Sequence, residues 1–336
     1  MAETADPETP LSDEANASIG RRSGGIERLD AQFAYVTSLS PLLMTILAFA
    51  LLPFGFMVTW VEVMLFLVMY VLVMIGLEVG YHRYFSHHPF KASRPVKIGL
   101  AVLGSMGFQG PVIWWAATHR RHHRYSDHDG DPHSPRRTGP GWRGALRGLY
   151  EGHMGWLFDK NRARPDNWWI YAKDLYADPD IFKIHYHYFY WMLFGLVFPA
   201  VVGGLIHGTL KGAFMGLLWG GFVRVFFGDH FIRTVNSVSH VVGSRAFETT
   251  DNSRNNFWLA VPTLGQAWHH NHHAFPAIAT TKIEWWQVDL GYWVIRSLEL
   301  VKLVSRVRLP TPQSIAAKRI GAGAAASPQG ESNDVA

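Results

Sequence analysis

Eighteen histidines stand in this chain, and most are bunched. One cluster is His82-Arg83-Tyr84-Phe85-Ser86-His87, followed by His88; a second is His119-Arg120-Arg121-His122-His123; a third is His269-His270-Asn271-His272-His273. In the second and third, the i, i+3, i+4 spacing places three imidazoles on one helix face, as a shared metal site requires. His82 and His87 are five apart, roughly 140° around an ideal helix of 3.6 residues per turn. That pair therefore needs a helix end or a bend, for which Ser86 and Pro89 are suited. A lone histidine is usually a core or surface residue. Two independent repeats plus a third pair point instead to shared ions, because clustered imidazoles are the commonest ligands for zinc, iron, copper and nickel.

A zinc hydrolase site typically needs three protein ligands and one open position. Three boxes supply too many imidazoles for one such ion and suit two. The chain has no cysteine, which excludes disulfides, zinc ribbons and iron–sulfur or rubredoxin-like centres on its own thiolates. Redox-active iron is the natural choice for such a thiol-free pair, although ligand type alone tolerates copper or zinc. Such a site differs from the carboxylate-rich di-iron sites of helical bundles. Glu78, Asp127, Asp129 and Asp131 are candidates to receive imidazole N–H groups from behind.

The elements that must position these groups are membrane spans. No charged residue occurs from Ala31 to Val61, and a second apolar run covers Val63 to Leu77. Tyr186 to Leu210 lacks Asp, Glu, Lys and Arg, and Gly212 to Gly228 contains only Arg224. Each pair reads as a hairpin, with spans expected at about 36–58, 61–80, 187–208 and 211–229. The uncharged stretch Ile98 to Thr118 is long enough to cross but holds Gly104, Gly107, Gly110 and Pro111, which weaken a straight helix. If it crossed, the first box would lie on the opposite side from the others. Convergence requires residues 96–117 to be re-entrant or interfacial.

The fold expected is all-α and integral to the membrane: four spanning helices in two hairpins under a helical cap, residues 118–185 and 230–309, carrying a histidine-rich di-metal site. The turns inside the hairpins carry almost no positive charge, while the flanking segments are rich in Arg and Lys, so both termini and the cap should face the cytoplasm. Residues 1–30 read as a disordered tail without a signal peptide, and 310–336 as a flexible tail.

The boxes and their surroundings resemble membrane fatty-acid desaturases. Gly80-Tyr81-His82-Arg83, Thr118-His119-Arg120, Asp131-Pro132-His133, Gly155-Trp156-Leu157, Asn236-Ser237 through His240, and His273-Ala274-Phe275-Pro276 resemble the acyl-CoA Δ9 (stearoyl-CoA) branch in order and spacing, over roughly residues 33 to 308. The resemblance implies two iron ions, O2 as co-substrate, and insertion of a cis double bond into a saturated acyl-CoA. It implies as ligands His82, His87, His119, His122, His123, His240, His269, His272 and His273, with Asn236 holding a metal-bound water. His88 and His270 fall beside the ligand positions. His128, His133, His153, His185, His187, His207 and His230 lie outside the pattern and are taken as structural or surface residues.

Two departures stand out. Ala117-Thr118 replace the Arg-Asp pair that in animal members grips the CoA headgroup, which leaves acyl carrier protein and lipid-bound chains open as carriers. In the third box, His270 and Asn271 stand in reversed order. With no His-Pro-Gly-Gly motif in the sequence, the type implied is bacterial without fused cytochrome b5, in the inner membrane. Electrons from NAD(P)H would come through a separate ferredoxin- or rubredoxin-like protein or a flavoprotein. The stretch Arg120 to Arg164 holds ten Lys or Arg against five Asp or Glu and could steer an acidic donor, anchor on anionic lipid, or meet a CoA phosphate. The rival enzyme reading is a fatty-acyl or alkane hydroxylase on the same centre; the non-enzyme rival is a metal transporter or storage protein. Nucleic acid is not an expected partner.

Overall fold

The computed structural model describes residues 30–135, 141–165 and 167–321; the expected N-terminal tail to residue 29 and residues 322–336 lie outside them. Helix α1, Asp30–Ala50, stops earlier than the span expected to residue 58. Pro53 lacks an N–H to continue the ladder, and Gly55 turns the chain at φ 81°. Helix α2 starts at Trp60, where the Thr59 side chain accepts from the backbone of Val61 and Glu62 reaches back to the Thr59 N–H at 2.8 Å. Glu62 thus belongs to the first turn of the helix. α2 is α-helical over Trp60–Ile75 and continues as a π-helix over Gly76–His87.

The stretch expected to be re-entrant or interfacial folds as two helices, α3 (Arg94–Ser105) and α4 (Val112–Tyr125). At 12 residues α3 is about 18 Å long, short of a 30 Å hydrocarbon core. Its glycines are there for contact. A Cβ at Gly76 would sit 2.1 Å from the backbone nitrogen of Gly104, so α3 packs backbone to backbone on the π-helical part of α2. The break before α4 uses Gly110 at φ +95° followed by Pro111.

Helices α5 (Gly141–His153) and α6 (Pro179–Tyr186) belong to the cap. Then come the second hairpin's α7, Tyr188–His207, and α8, Leu210–His240. α8 runs well beyond the expected end at 229, because Asp229 and Arg233 neutralise one another one turn apart at 2.5 Å and Arg233 also reaches Ser38 of α1. α9 (His269–Ala274), α10 (Leu290–Leu300) and α11 (Pro312–Lys318) complete the chain. Strand β1 (Lys91–Ala92) pairs antiparallel with β2 (Val304–Ser305), Lys91 opposite Ser305. Within the segment from 310 that was expected to be a flexible tail, residues Pro312–Lys318 form a helix. Thr311 caps α11, Ile315 packs on Phe247, Ala274 and Phe275, and Lys318 donates to the Ala274 carbonyl at 2.5 Å.

Among the described residues, four helices are long and apolar enough to cross a membrane: Phe33–Ala50, Trp60–His87, Tyr188–His207 and Leu210–His240. On α2, Val63, Met64, Leu67, Val68, Val71 and Leu72 face outward, while Leu65, Met69, Val73 and Met74 face the bundle. A helix apolar on all sides suits a lipid surround.

Candidate metal centre

The three histidine boxes meet. His82, His87, His119, His123 and His272 form one group, and His122, His240, His269 and His273 another; in each, one ring nitrogen per residue lies within 4.8 Å of all the others. The helices divide the work in a complementary way. On α4, His119 and His123 serve the first group and His122 the second; on α9, His272 serves the first and His269 and His273 the second. The second and third boxes thus bridge both groups, while His82 and His87 of the first box serve only the first; the groups lie side by side, with the His123 and His273 rings 4.3 Å apart.

The awkward pair His82 and His87 is solved without a bend. Over Gly76–His87 the backbone is π-helical, and its wider i→i+5 turn brings residues five apart onto one face, with ring centroids 5.6 Å apart. The turn ends at His88, whose φ of 48° breaks it.

The donor set fits metal ions. Four Nδ1–H groups face carboxylates: His82 to Glu78 at 2.6 Å, His122 to Asp131 at 2.9 Å, His240 to Asp127 at 2.9 Å and His273 to Asp251 at 2.7 Å. With its proton committed to Nδ1, each ring turns a bare Nε2 inward. There His82 Nε2 lies 3.0 Å from His272 Nε2, and His240 Nε2 lies 2.9 Å from His269 Nε2. The Nε2 atoms of His122 and His273 are buried without a hydrogen-bond partner, an arrangement that costs energy unless a cation takes the lone pairs. Burial and neighbouring imidazoles push His119, His123, His269 and His272 well below the usual histidine pKa, and His273 down to about 4. The neutral rings that ligation requires are thus the stable form. Burial alone would raise Asp127, Asp131 and Asp251, but hydrogen bonds and charge from His240, His122 and His273 hold them well below the usual carboxylate range.

A further layer fixes these carboxylates. The second oxygen of Glu78 accepts from Arg83 at 2.7 and 2.9 Å, and Arg83, 1% exposed, also binds Asp289 at 2.8 Å and the Ala279 carbonyl at 2.6 Å. Asp131 accepts the Asp127 N–H, and Asp127 the Asn252 N–H. Asn271 is clamped by Asn255, Gln287 and the Thr281 carbonyl.

All nine expected ligand histidines lie in the two groups. Asn236 is half-buried on α8, one turn before His240. His270 is occupied elsewhere, with Nε2 accepting the Phe247 N–H at 3.0 Å and Nδ1 against Ser253 at 3.2 Å; His88 is exposed, on Asp174 and Arg120. Glu78, Asp127 and Asp131 were anticipated from the sequence, whereas Asp251, Asp289 and the role of Arg83 were not. Asp251 sits in a loop with no periodic relation to the third box. Arg83 had a signal, its place inside the first box. His133, read as structural or surface, is buried 4.3 Å ring to ring from His122 and forms a third close group with His122 and Asp131.

Four apolar helices and two adjacent all-histidine clusters define an integral membrane protein with a site that could hold metal ions. The fatty acid desaturase family model matches residues 58–302, and the chain belongs to that family. It is 46% identical over 297 residues, 88% of this chain and 91% of the relative, to Hex-5-enoyl-[acyl-carrier protein] acetylenase of Moorena producens (strain JHB). It is 33% identical over 261 residues (78% and 79%) to Delta-9 acyl-lipid desaturase 1 of Arabidopsis thaliana, and 34% over 262 residues (77% and 75%) to Acyl-CoA 5-desaturase AL21 of Anemone leveillei. The names of these relatives specify three different acyl carriers, so membership of the acyl-CoA Δ9 branch does not follow from the family.

Proposed function

We propose that this chain removes one hydrogen from each of two neighbouring methylenes of a fatty acyl chain, leaving a cis double bond. O2, two electrons and two protons are consumed with the two hydrogens, and two waters form. The observation that carries this reading is the pair of adjacent histidine groups, each with its ligand nitrogens within 4.8 Å. His82, His87, His119, His123 and His272 would hold one iron ion; His122, His240, His269 and His273 the other, with Asn236 completing it through a water. When bound, the ions supply the oxidising power that an unactivated C–H bond demands. The protein's share is to orient the imidazoles through Glu78, Asp127, Asp131 and Asp251, and to exclude water. Trp115, stacked at 5.0 Å on His119, and buried Val112 and Ile113 make the α4 side apolar.

The relation to a carrier-protein enzyme at 46% identity, together with Ala117-Thr118 in place of a charged pair, favours an acyl chain on acyl carrier protein over the acyl-CoA that the sequence motifs imply. The relation to a Δ9 acyl-lipid desaturase supports Δ9 as the position. The electron donor would be a separate ferredoxin- or rubredoxin-like protein or a flavoprotein fed by NAD(P)H. Arg120, Arg121 and Arg162 are bonded to carbonyls and carboxylates of the cap and of α2, so among the described residues the exposed Arg124, Arg143 and Arg147 carry charge that would steer it. The cap and termini would face the cytoplasm of a bacterial inner membrane. Expression in a desaturase-deficient host with a suitable donor tests the reading. A new cis-monoene that vanishes in His122→Ala supports it; a hydroxylated chain would assign the mono-oxygenase reading instead, and unchanged lipids would overturn both.

A further inference from the structure

The segment leading into the third box was expected to be part of the soluble cap. From Asn255 to Thr281 the sequence has no Asp, Glu, Lys or Arg, and its first part is the short helix Phe257–Ala260 followed by Val261 and Pro262. Phe257, Trp258 and Val261 are exposed, at 55%, 83% and 57%.

Its depth is fixed by one bond. The Tyr70 hydroxyl donates to the Pro262 carbonyl at 2.6 Å. Tyr70 stands ten residues into α2 from Trp60, about 15 Å along a helix of 1.5 Å rise, which is near the middle of a hydrocarbon core of about 30 Å. The Tyr70 ring also meets Phe66 of α2 and Phe231 of α8 at 5.8 and 6.4 Å. The turn at 262 thus lies against α2 at membrane depth, below the level of His82.

The carbonyls of residues 259–262 are paired, as suits a place where unpaired polar groups are costly. The Leu259 carbonyl accepts from the backbone and side chain of Thr263, Ala260 from Gly265, Val261 from Leu264 and Pro262 from Tyr70, while Pro262 brings no N–H. The turn's N-terminal side is tied to the third box and the residue before it: Asn255 bonds Asn271, and Phe257 packs against Trp268.

We infer that residues 257–262 form a wedge inserted into the bilayer leaflet nearest the histidine clusters, with Phe257, Trp258 and Val261 in contact with acyl tails. Tyr70 of α2 holds the turn, so the lipid that meets the outward apolar face of α2 meets the wedge at the same depth. Box three is therefore anchored to the hydrocarbon as well as to the protein.

The absence of cysteine makes the test clean. Trp258→Cys and Val261→Cys, with Ser305→Cys as an exposed control, are placed in lipid nanodiscs and treated with a membrane-impermeant maleimide. Residues 258 and 261 should react roughly ten-fold or more slower than 305. Labelled instead in detergent with a nitrobenzoxadiazole probe and then reconstituted, both should be quenched by lipids carrying doxyl groups on their acyl chains. Reaction as fast as at 305 would overturn the inference. So would protection without doxyl quenching, which would mean that a second copy of the chain covers the segment. Iron content measured on each variant confirms folding, and either position alone suffices for the test.

Discussion

Glu78→Gln is the perturbation that separates a ligand-orienting carboxylate from a merely structural ion pair. Glu78 is fully buried, with one oxygen 2.6 Å from His82 Nδ1 and the other on Arg83, which keeps Asp289 at 2.8 Å. The neutral amide takes away the charge that favours the inward-facing Nε2 on His82. Losses of this kind typically cost 10- to 100-fold in metal affinity, or about 1.4–2.8 kcal/mol. Asp289→Asn leaves the Glu78–His82 bond in place while breaking the other half of the Arg83 network. It should cost up to about 3–5 kcal/mol of stability, as loss of one partner of a buried pair does, with little change in intrinsic affinity. The assay is iron retained per chain in competition with a graded chelator, beside thermal unfolding of the metal-free proteins. If Glu78→Gln held iron as tightly as the parent, or Asp289→Asn weakened iron more than Glu78→Gln did, the reasoning about His82 would be refuted.

Gly76→Ala places a Cβ 2.1 Å from the Gly104 backbone nitrogen; separating α2 from α3 should cost at least the ~1–3 kcal/mol of overpacking, seen as a lower unfolding temperature with loss of bound metal. His270→Ala should leave iron content unchanged yet cost about 1–3 kcal/mol, because the Phe247 N–H loses its acceptor; loss of iron with unchanged folding would make His270 a ligand. In the metal-free protein, His119, His123, His269 and His272 stay neutral when folded, so the unfolded chain binds protons first as pH falls through about 6.5. The unfolding temperature should therefore drop between pH 7 and 5.5, and iron, which also needs the rings neutral, should raise the unfolding temperature without removing that dependence; no dependence in either form would contradict the assigned protonation.

The helical membrane class, the two hairpins and the histidine positions were legible because each rests on a local signal: uncharged runs for the spans, i, i+3, i+4 spacing for α4 and α9. The π-helical winding of α2 was not, since nothing in Gly76–His87 distinguishes an i→i+5 ladder from an α-helix that ends. Span ends were misjudged where a local pair overrode composition. Pro53 and Gly55 stopped α1 early, and the mutual neutralisation of Asp229 and Arg233 carried α8 onward to deliver His240. Asp251 and Asp289 were invisible because their partners are distant in sequence, and carboxylates gain meaning here only from what they face. The apolar segment before the third box was readable in composition, but its depth is set by a single contact, Tyr70 to Pro262, that no spacing reveals.

The central claim is that imidazoles from three separate segments grip two ions. Metal analysis of the purified, iron-supplied protein, combined with X-ray absorption at the iron edge, tests it most directly. About two iron ions per chain with nitrogen or oxygen ligands and no sulfur, falling on His122→Ala, is the result expected for an all-imidazole pair. A protein that folds, takes up no transition metal when iron is supplied, or holds only one ion unaffected by His122→Ala would contradict the account.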